Sequence, residues 1–487
     1  MSETSIFDLV VVGGGINGAG IARDAAGRGL SVLLVEQEDL ASATSSRSSK
    51  LVHGGLRYLE TFQFRLVREA LTEREVLLKL APHIIHPLRF ILPHVPAMRP
   101  RWMVGAGLWL YDHLGSRSSL PASGALDLSK TPEGGPLLPA FASGFHYSDC
   151  WVEDMRLVVL NAVDAALRGA TILTRTKLEA AMPQGGIWRL RLAGESGKRE
   201  VAARALANAA GPWAGEVLGL AHNTPAMTSP LRLVKGSHIV VPRLHEGNWA
   251  YLCQNTDGRV VFFLPYENDF TLIGTTDVPF GGNPASATCS VEEETYLLDV
   301  AKRFFRRPPS SLGIVHRFAG VRALYDDGKK SAKDVTRDYV LKLERLPAPL
   351  LSVFGGKITT YRRLAEQALK KLAPVFPELG CDWTMSTPLP GSSIGPDITA
   401  FTAQQQILYP WLPAPLLQRW CRTYGSQLPR LVNDAKSLAD LGPELAPGLY
   451  EIEADYLRQN EFAQTLDDML WRRTRLGLRR KSGSGLS

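Results

Sequence analysis

With 487 residues, the chain is too long for one small hydrophobic core and should fold as two or three domains. Its content of 45% hydrophobic and 21% charged residues excludes a disordered protein, and no apolar run reaches the roughly 18–20 residues that span a bilayer. The net charge of +7 either favours anionic partners, such as phosphorylated substrates and acidic lipids, or reflects a modest surface excess of cations.

The first predicted elements form a βαβ unit. The β-branched run at 7–12 is typical of a buried parallel strand, a helix rich in small residues is expected at 16–28, and a second buried strand at 31–36. Between the first strand and the helix, Gly13, Gly15 and Gly18 form a GxGxxG pattern. The first glycine permits a tight turn, the second lets a pyrophosphate approach the backbone, and the third lets helix and strand pack closely.

An acidic residue follows the second strand of this unit. Glu36 is placed to accept hydrogen bonds from a ribose, and its charge would repel a 2′-phosphate. The unit therefore predicts a dinucleotide site that disfavours NADP.

Further elements follow in chain order. A helix is predicted at 63–80, the five prolines within 82–100 exclude a single helix there, and another helix is expected at 156–167. Alternating or β-branched runs predict an antiparallel sheet that includes 238–241, 260–264 and 270–273. A linker composition at 387–393 separates a mostly helical end, with helices expected at 404–407, 416–423, 449–459 and 462–474.

Three segments favour FAD over NAD as the dinucleotide, and no second GxGxxG lies between a strand and a helix. A serine-rich loop offers hydroxyls and amides to a long cofactor, a small-residue strand ends in a glycine turn, and a Gly-Gly-Lys turn precedes a helix at 361–371. The expected cofactor-binding residues in these segments are Thr44, Ser45, Ser46, Ser49 and Lys50, then Gly211 and Trp213, then Gly355, Gly356, Lys357 and Thr359.

The chain resembles the aerobic, flavin-linked glycerol-3-phosphate dehydrogenases, within the amino-acid-oxidase-like flavoproteins. The resemblance covers nearly the whole chain. The motifs that carry it are those at 13–20, 45–58, 147–151, 235–238, 274–277, 320–322, 336–339, 354–361, 422–425 and 466–473. Ala323 departs from the proline that is usual in the family.

The resemblance implies a fold of three parts. The first is an α/β Rossmann-type FAD domain, formed discontinuously by residues 1–85, 146–230 and 335–388. It is interleaved with an antiparallel-sheet substrate domain, formed by 86–145 and 231–334. An all-helical C-terminal domain, 389–487, completes the chain.

The resemblance also implies oxidation of sn-glycerol 3-phosphate to dihydroxyacetone phosphate, with hydride transfer to flavin N5 and electrons passed to a membrane quinone. Arg322 and Arg337 would bind the phosphate, with Arg57 and Tyr58 beside them, because guanidinium groups match a phosphate dianion.

The remaining site residues concern the proton and the cavity wall. His238 is the leading candidate for the base because histidine titrates near neutral pH, and His53 competes for that role. Lys357 would stabilise reduced flavin or contact the substrate oxygen. Thr275 and Thr276 would line the same cavity.

Cellular context and partners are also predicted. A strand that begins near residue 7 leaves no room for a signal peptide, and five scattered cysteines argue against disulfides, an iron–sulfur cluster or another metal site. We expect a cytoplasmic protein that attaches peripherally to the inner (plasma) membrane. The six cations at 472–481 either touch acidic lipid or form a solvated helix end.

Alternatives stay open at this point. The same motifs serve an oxidase that reduces oxygen to peroxide, and an amino-acid-oxidase-like enzyme would need one arginine for a carboxylate. A nucleic-acid-binding flavoprotein is disfavoured because no interleaved basic and aromatic pattern is present. The sequence does not decide between quinone and oxygen, identify the base, or show whether the chain forms a homodimer.

Overall fold

The computed structural model describes residues 6–96, 98–115, 119–224, 231–326, 338–395 and 397–479. In chain order the strands β1 to β20 of these residues are Ile6–Val12, Val32–Val35, Leu51–Val52, Ile85–His94, Gly124–Asp127, Ser143–Val152, Thr171–Leu173, Thr176–Gln184, Ile187–Gly194, Gly197–Asn208, Leu231–Pro242, Trp249–Gln254, Val260–Tyr266, Phe270–Gly274, Val278–Pro279, His316–Tyr325, Val340–Glu344, Leu350–Phe354, Glu444–Ala446 and Leu449–Tyr450. The helices α1 to α11 are Ile16–Gly27, Phe64–Leu80, Arg101–Leu114, Asp154–Leu167, Ala214–His222, Val291–Phe304, Tyr361–Leu372, Ile398–Leu408, Ala414–Tyr424, Leu428–Val432 and Glu451–Glu461.

The first sheet has a parallel centre, as the predicted βαβ unit requires. Its strand order is β17-β18-β10-β1-β2-β7, and β8 and β9 extend it as an antiparallel ribbon from β10. The centre pairs in parallel, with Val11 opposite Ala207 and Leu34. Strands β1 and β2 are apolar because helices cover the sheet, and α1 packs between β1 and helices α4 and α7.

The second sheet is almost entirely antiparallel. Its order is β15-β11-β14-β13-β12-β4-β6-β3, with β16 beside β11 and β5 beside β6, and only the β12–β4 pair is parallel. Strand β6 lies wholly in this sheet, so the expected domain boundary at residue 146 falls inside a strand. Strand β6 is not divided at that point, because it pairs along its full length with β4, from Ile85 to His94.

The C-terminal part is a helical unit with its own apolar core. Leu417, Trp420, Leu457 and Met469 are completely buried there, and a two-stranded ribbon of β19 and β20 accompanies the helices. The helix predicted at 462–474 is shorter than expected, because residues 462–465 are not helical. Helix α11 ends at Glu461, and a wide π-type turn follows at 468–473.

The basic residues near the C-terminus make internal ion pairs. Arg472 and Arg473 both bind Asp39, Arg475 binds Glu267 at 2.6 Å, and Arg479 lies 3.4 Å from Asp269. The pairs of Arg472, Arg473 and Arg475, whose side chains are largely buried, argue against a lipid-facing role for these three arginines. The other two cations of this basic segment, at 480 and 481, lie outside the described residues.

In the described part of the chain, no helix combines the length and the apolar composition that crossing a bilayer requires.

Candidate active site

The turn after β1 has the geometry of a phosphate-binding loop. Gly13 adopts φ +111°, and a Cβ there would lie 2.6 Å from the carbonyl oxygen of Ala209. A Cβ on Gly18 would lie 1.9 Å from the carbonyl oxygen of Gly13. Gly15 immediately precedes α1, so the amides of the first helical turn face the open side of the loop. Gly13 and Gly15 line a cavity, whereas Gly18 provides the close packing of helix and strand.

Glu36 lines this cavity next to the glycine loop. Its carboxylate accepts hydrogen bonds from the backbone N–H groups of Gly14 at 2.6 Å and Glu38 at 2.9 Å. Burial raises the pKa of Glu36, and the two backbone donors oppose that shift. The carboxylate lies at the carboxyl end of β2, where a Rossmann fold binds a ribose.

The serine-rich loop divides into residues that face the cavity and residues that hold the loop. Thr44, Ser45 and Ser49 line the cavity, and the hydroxyl of Ser45 accepts a hydrogen bond from the N–H of Ile16 at 3.0 Å. Ser46 instead donates to the carbonyl of Ala43 at 3.2 Å.

Lys50, an expected cofactor residue, lies beneath the loop rather than in the cavity wall. Its ammonium group is 2.9 Å from both carboxylate oxygens of Asp154 and 3.0 Å from the carbonyl of Ser46. The structure therefore places Lys50 as an anchor of the loop.

The opposite wall comes from two distant segments. Gly211 and Trp213 after β10 line the cavity, as do Gly355, Gly356, Lys357 and Thr359 after β18. The side-chain amide of Asn17 donates to the carbonyl of Gly355 at 3.0 Å and so ties this turn to the phosphate-binding loop. Sequence reasoning missed Asn17, although it stands between the second and third glycines of the motif.

Cationic groups also line the cavity. The guanidinium of Arg322, on β16, lies 3.5 Å from the hydroxyl of Thr275 and 3.7 Å from the carboxylate of Asp277. The ammonium of Lys357 lies 3.9 Å from the ring centre of Tyr58. Arg57 lines the same cavity, and Arg337 lies outside the described residues.

The two threonines that were expected in this wall differ. Thr275 presents its hydroxyl toward Arg322. The hydroxyl of Thr276 donates to Glu293 at 2.7 Å and accepts from the N–H of Ser237 at 2.9 Å, so its hydrogen bonds are made within the protein.

The two candidate bases have different surroundings. His238 is 1% exposed, its Nε2 lies 2.9 Å from the hydroxyl of Ser49, and its ring stacks on Phe318 at 4.9 Å. Burial, with Arg322 and Lys50 nearby, holds the pKa of His238 well below its ordinary value.

His53 is only half-buried and lines the cavity. Its backbone N–H donates to the hydroxyl of Thr359 at 3.2 Å. Burial lowers the pKa of the His53 imidazole, the charge of Asp149 opposes that shift, and the charges of Lys357 and Arg322 add to it. Both histidines are therefore neutral at neutral pH.

The lining groups share one cavity of about 1290 Å³. That volume exceeds the roughly 300–1,000 Å³ of ordinary small-molecule pockets, so it accommodates a long cofactor together with a substrate. The glycine loop that excludes a Cβ, the acid after β2 and the polar serine loop fit a flavin dinucleotide. Fold and cavity together define a dinucleotide-dependent oxidoreductase.

Comparison with known proteins identifies the family. A model of the family described as "FAD dependent oxidoreductase" matches residues 8–362, and a model of the "C-terminal domain of alpha-glycerophosphate oxidase" matches residues 383–484. The chain belongs to the family of FAD-dependent oxidoreductases, which confirms the predictions of FAD as cofactor and of the fold class.

Three relatives narrow the comparison. The chain is 52% identical to a glycerol-3-phosphate dehydrogenase of Pseudomonas aeruginosa, with coverage of 97% of this chain and 92% of the relative. It is 51% identical to a D-erythritol 1-phosphate dehydrogenase of Brucella abortus, with coverage of 98% and 95%. A solved glycerol-3-phosphate dehydrogenase of Bacillus halodurans, complexed with FAD, has a TM-score of 0.76 at 27% identity and covers 97% of this chain and 86% of that one. The resemblance predicted from the sequence is confirmed.

Proposed function

We propose that this chain oxidises glycerol 3-phosphate to dihydroxyacetone phosphate. The observation that supports this proposal is that Arg322, Lys357 and Arg57 line the same cavity as the glycine turn at 355–356. Three cations in one cavity match a phosphate dianion better than a single carboxylate. When bound, FAD supplies N5 as the hydride acceptor, and the cations orient the substrate carbon that gives up the hydride.

We assign the base role to His53 rather than to His238, which the sequence favoured. The Nε2 atom of His238 is already 2.9 Å from Ser49, and its side chain is almost fully enclosed. Both histidines line the cavity, but His53 is half-buried rather than enclosed. It lies near the charges of Lys357 and Arg322, and it is neutral at neutral pH because its pKa is lowered. A neutral, accessible imidazole is suited to accept the proton of a substrate hydroxyl.

D-erythritol 1-phosphate is the second candidate substrate, because a relative with that activity in its name is 51% identical to this chain. Both compounds carry a phosphate, so the arginine cluster does not separate them. Anaerobic mixing of the holoenzyme with each compound decides between them. We expect glycerol 3-phosphate to bleach the flavin band fastest and unphosphorylated glycerol to leave it unchanged. Faster bleaching by the four-carbon phosphate would contradict the proposal.

Arg322 provides a direct test of phosphate binding. Arg322→Ala should raise KM for glycerol 3-phosphate about 100-fold while FAD stays bound, because a charge-assisted contact contributes about 1.5–3 kcal/mol. Arg317→Ala is the matched control on the same strand. Arg317 is paired with Glu294 and 43% exposed at its side chain, so its removal should leave KM unchanged. Unchanged KM in Arg322→Ala would refute the assignment.

A quinone in an acidic membrane is the acceptor that we favour. Helix α3 exposes Trp102 by 72% and Trp109 by 61%, and the neighbouring Phe62 is 78% exposed. Exposed Arg99 and Arg101 flank them, a combination typical of a helix that lies in a lipid interface. The same helix lines the cavity through residues such as Met103 and Gly107, so an apolar acceptor would approach the site from this face.

The acceptor is tested by comparing electron yields. In air, with a soluble quinone present, most electrons from the substrate should reach the quinone. A stoichiometric yield of peroxide would instead identify an oxidase.

A further inference from the structure

The C-terminal domain contributes to the cofactor cavity itself. Thr465, Asp467 and Arg472 line the same cavity as Glu36 and Asp39, which follow β2. Asp39 and Arg472 are 433 positions apart in the chain, yet Arg472 Nε donates to Asp39 at 2.6 Å. The carboxyl end of β2 is the part of a Rossmann fold that receives the adenosine half of a dinucleotide. The C-terminal segment therefore faces the adenosine end of the cleft.

The hydrogen bonds of Arg472 lie in the plane of its guanidinium group. Nε binds Asp39, one terminal nitrogen binds Asp467 at 3.1 Å, and the other binds Asp468 at 2.5 Å. Asp468 is itself held by Arg175 at 2.7 Å and by two backbone N–H groups of the preceding turn. Three of the five N–H donors of Arg472, one on each nitrogen, are thus bound to carboxylates, which also balance its charge.

This arrangement selects the chemistry of the ligand. A guanidinium with a carboxylate bound at each of its three nitrogens cannot offer a ligand its full fork of donors, and its balanced charge attracts a phosphate only weakly, but its flat face is still available for contact. A planar, neutral, aromatic ring is the group that stacks on such a face. We propose that Arg472 binds the adenine ring of FAD by stacking, so that the C-terminal domain forms part of the cofactor site.

Arg473, the neighbour of Arg472 in the sequence, has a different role. Arg473 binds both carboxylate oxygens of Asp39, at 2.8 and 2.9 Å, and the carbonyl of Glu461 at 2.8 Å, but it is fully buried and does not line the cavity. Arg473 therefore holds the domain in place, whereas Arg472 also faces the cofactor. Substitution of Arg472 alone should weaken FAD binding without releasing the domain.

The test measures FAD release from the purified holoenzyme. Protein is diluted stepwise, free FAD is followed by its fluorescence, and docking of the C-terminal domain is followed by limited proteolysis. Arg472→Ala should raise the FAD dissociation constant about tenfold with an unchanged proteolytic pattern. Arg479→Ala, a nearby arginine outside the cavity, should leave both unchanged.

If the C-terminal domain is released in Arg472→Ala, the variant Arg472→Lys tests the stacking proposal instead. Lysine keeps the charge and can reach Asp39, but it lacks the planar face. Weaker FAD binding in a docked Arg472→Lys protein supports stacking. Wild-type FAD affinity in a docked variant at position 472 overturns the proposal.

Discussion

Removal of Asp154 should destabilise the protein strongly, because it leaves the buried ammonium group of Lys50 without its carboxylate partner. The ammonium of Lys50 lies 2.9 Å from both oxygens of Asp154, and the two side chains are 1% and 0% exposed. In Asp154→Ala the ammonium keeps the carbonyl of Ser46 at 3.0 Å. Breaking a buried ion pair from one side costs about 3–5 kcal/mol, so we expect a loss of that size in the free energy of unfolding.

Removal of Lys50 should cost less. In Lys50→Met, Asp154 still accepts from the hydroxyl of Ser48 at 2.8 Å and from the N–H of Met155 at 2.9 Å. It also lies in the first turn of α4, where the helix dipole favours a negative charge. The expected loss is therefore about 1–3 kcal/mol.

Urea unfolding of the holoenzyme, followed by tryptophan fluorescence, measures these differences. Asp127→Ala is the matched control, because Asp127 pairs with Lys130 at 3.0 Å with side chains 50% and 80% exposed. It should change stability by less than about 1 kcal/mol. The double variant Lys50→Met with Asp154→Leu should recover much of the loss. A larger cost for Lys50→Met than for Asp154→Ala would refute this reasoning.

Three further predictions concern the base, the membrane face and the glycine loop. The base must be neutral, so kcat/KM should fall with decreasing pH only below the ordinary histidine pKa of 6.5, and Lys357→Met should move this acid limb to higher pH in a pH–rate profile. Replacement of both Trp102 and Trp109 by serine should reduce sedimentation with acidic liposomes while flavin bleaching in solution stays unchanged. Gly18→Ala should abolish FAD binding, seen as a lost flavin absorbance, because its Cβ would lie 1.9 Å from a carbonyl oxygen, whereas Gly281→Ala, which meets nothing within 4 Å, should not.

The local signals in the sequence were sufficient for the first domain. Buried strands with apolar runs, a small-residue helix and the glycine pattern predicted the βαβ unit to within one or two residues. Most of the predicted cofactor residues also line the cavity, because their chemistry is carried by short motifs such as the Gly355–Lys357 turn. Periodicity and turn chemistry are local properties, so a sequence displays them directly.

Long-range pairing explains what was not predicted. Lys50 was assigned to the cofactor because its loop is polar, but its partner Asp154 lies 104 positions later. The predicted helix at 462–474 is interrupted because the carboxylate of Asp468 binds the N–H groups of Gln464 and Thr465 and is paired with Arg175. Such pairs depend on which segments meet in space, and spacing along the chain does not reveal them.

The order of strands in the first sheet has a consequence for biosynthesis. Strand β1 lies between β2 and β10. The other neighbour of β10 is β18, which is much later in the chain and ends at residue 354. The nascent chain must therefore extend to Asn208 before β1 can have both neighbours, and to Phe354 before β10 can pair with β18. Distant pairing of this kind slows folding. During that interval the apolar edge of the nascent sheet is exposed, so chaperone binding during translation should matter more for this protein than for one whose strands pair in sequential order.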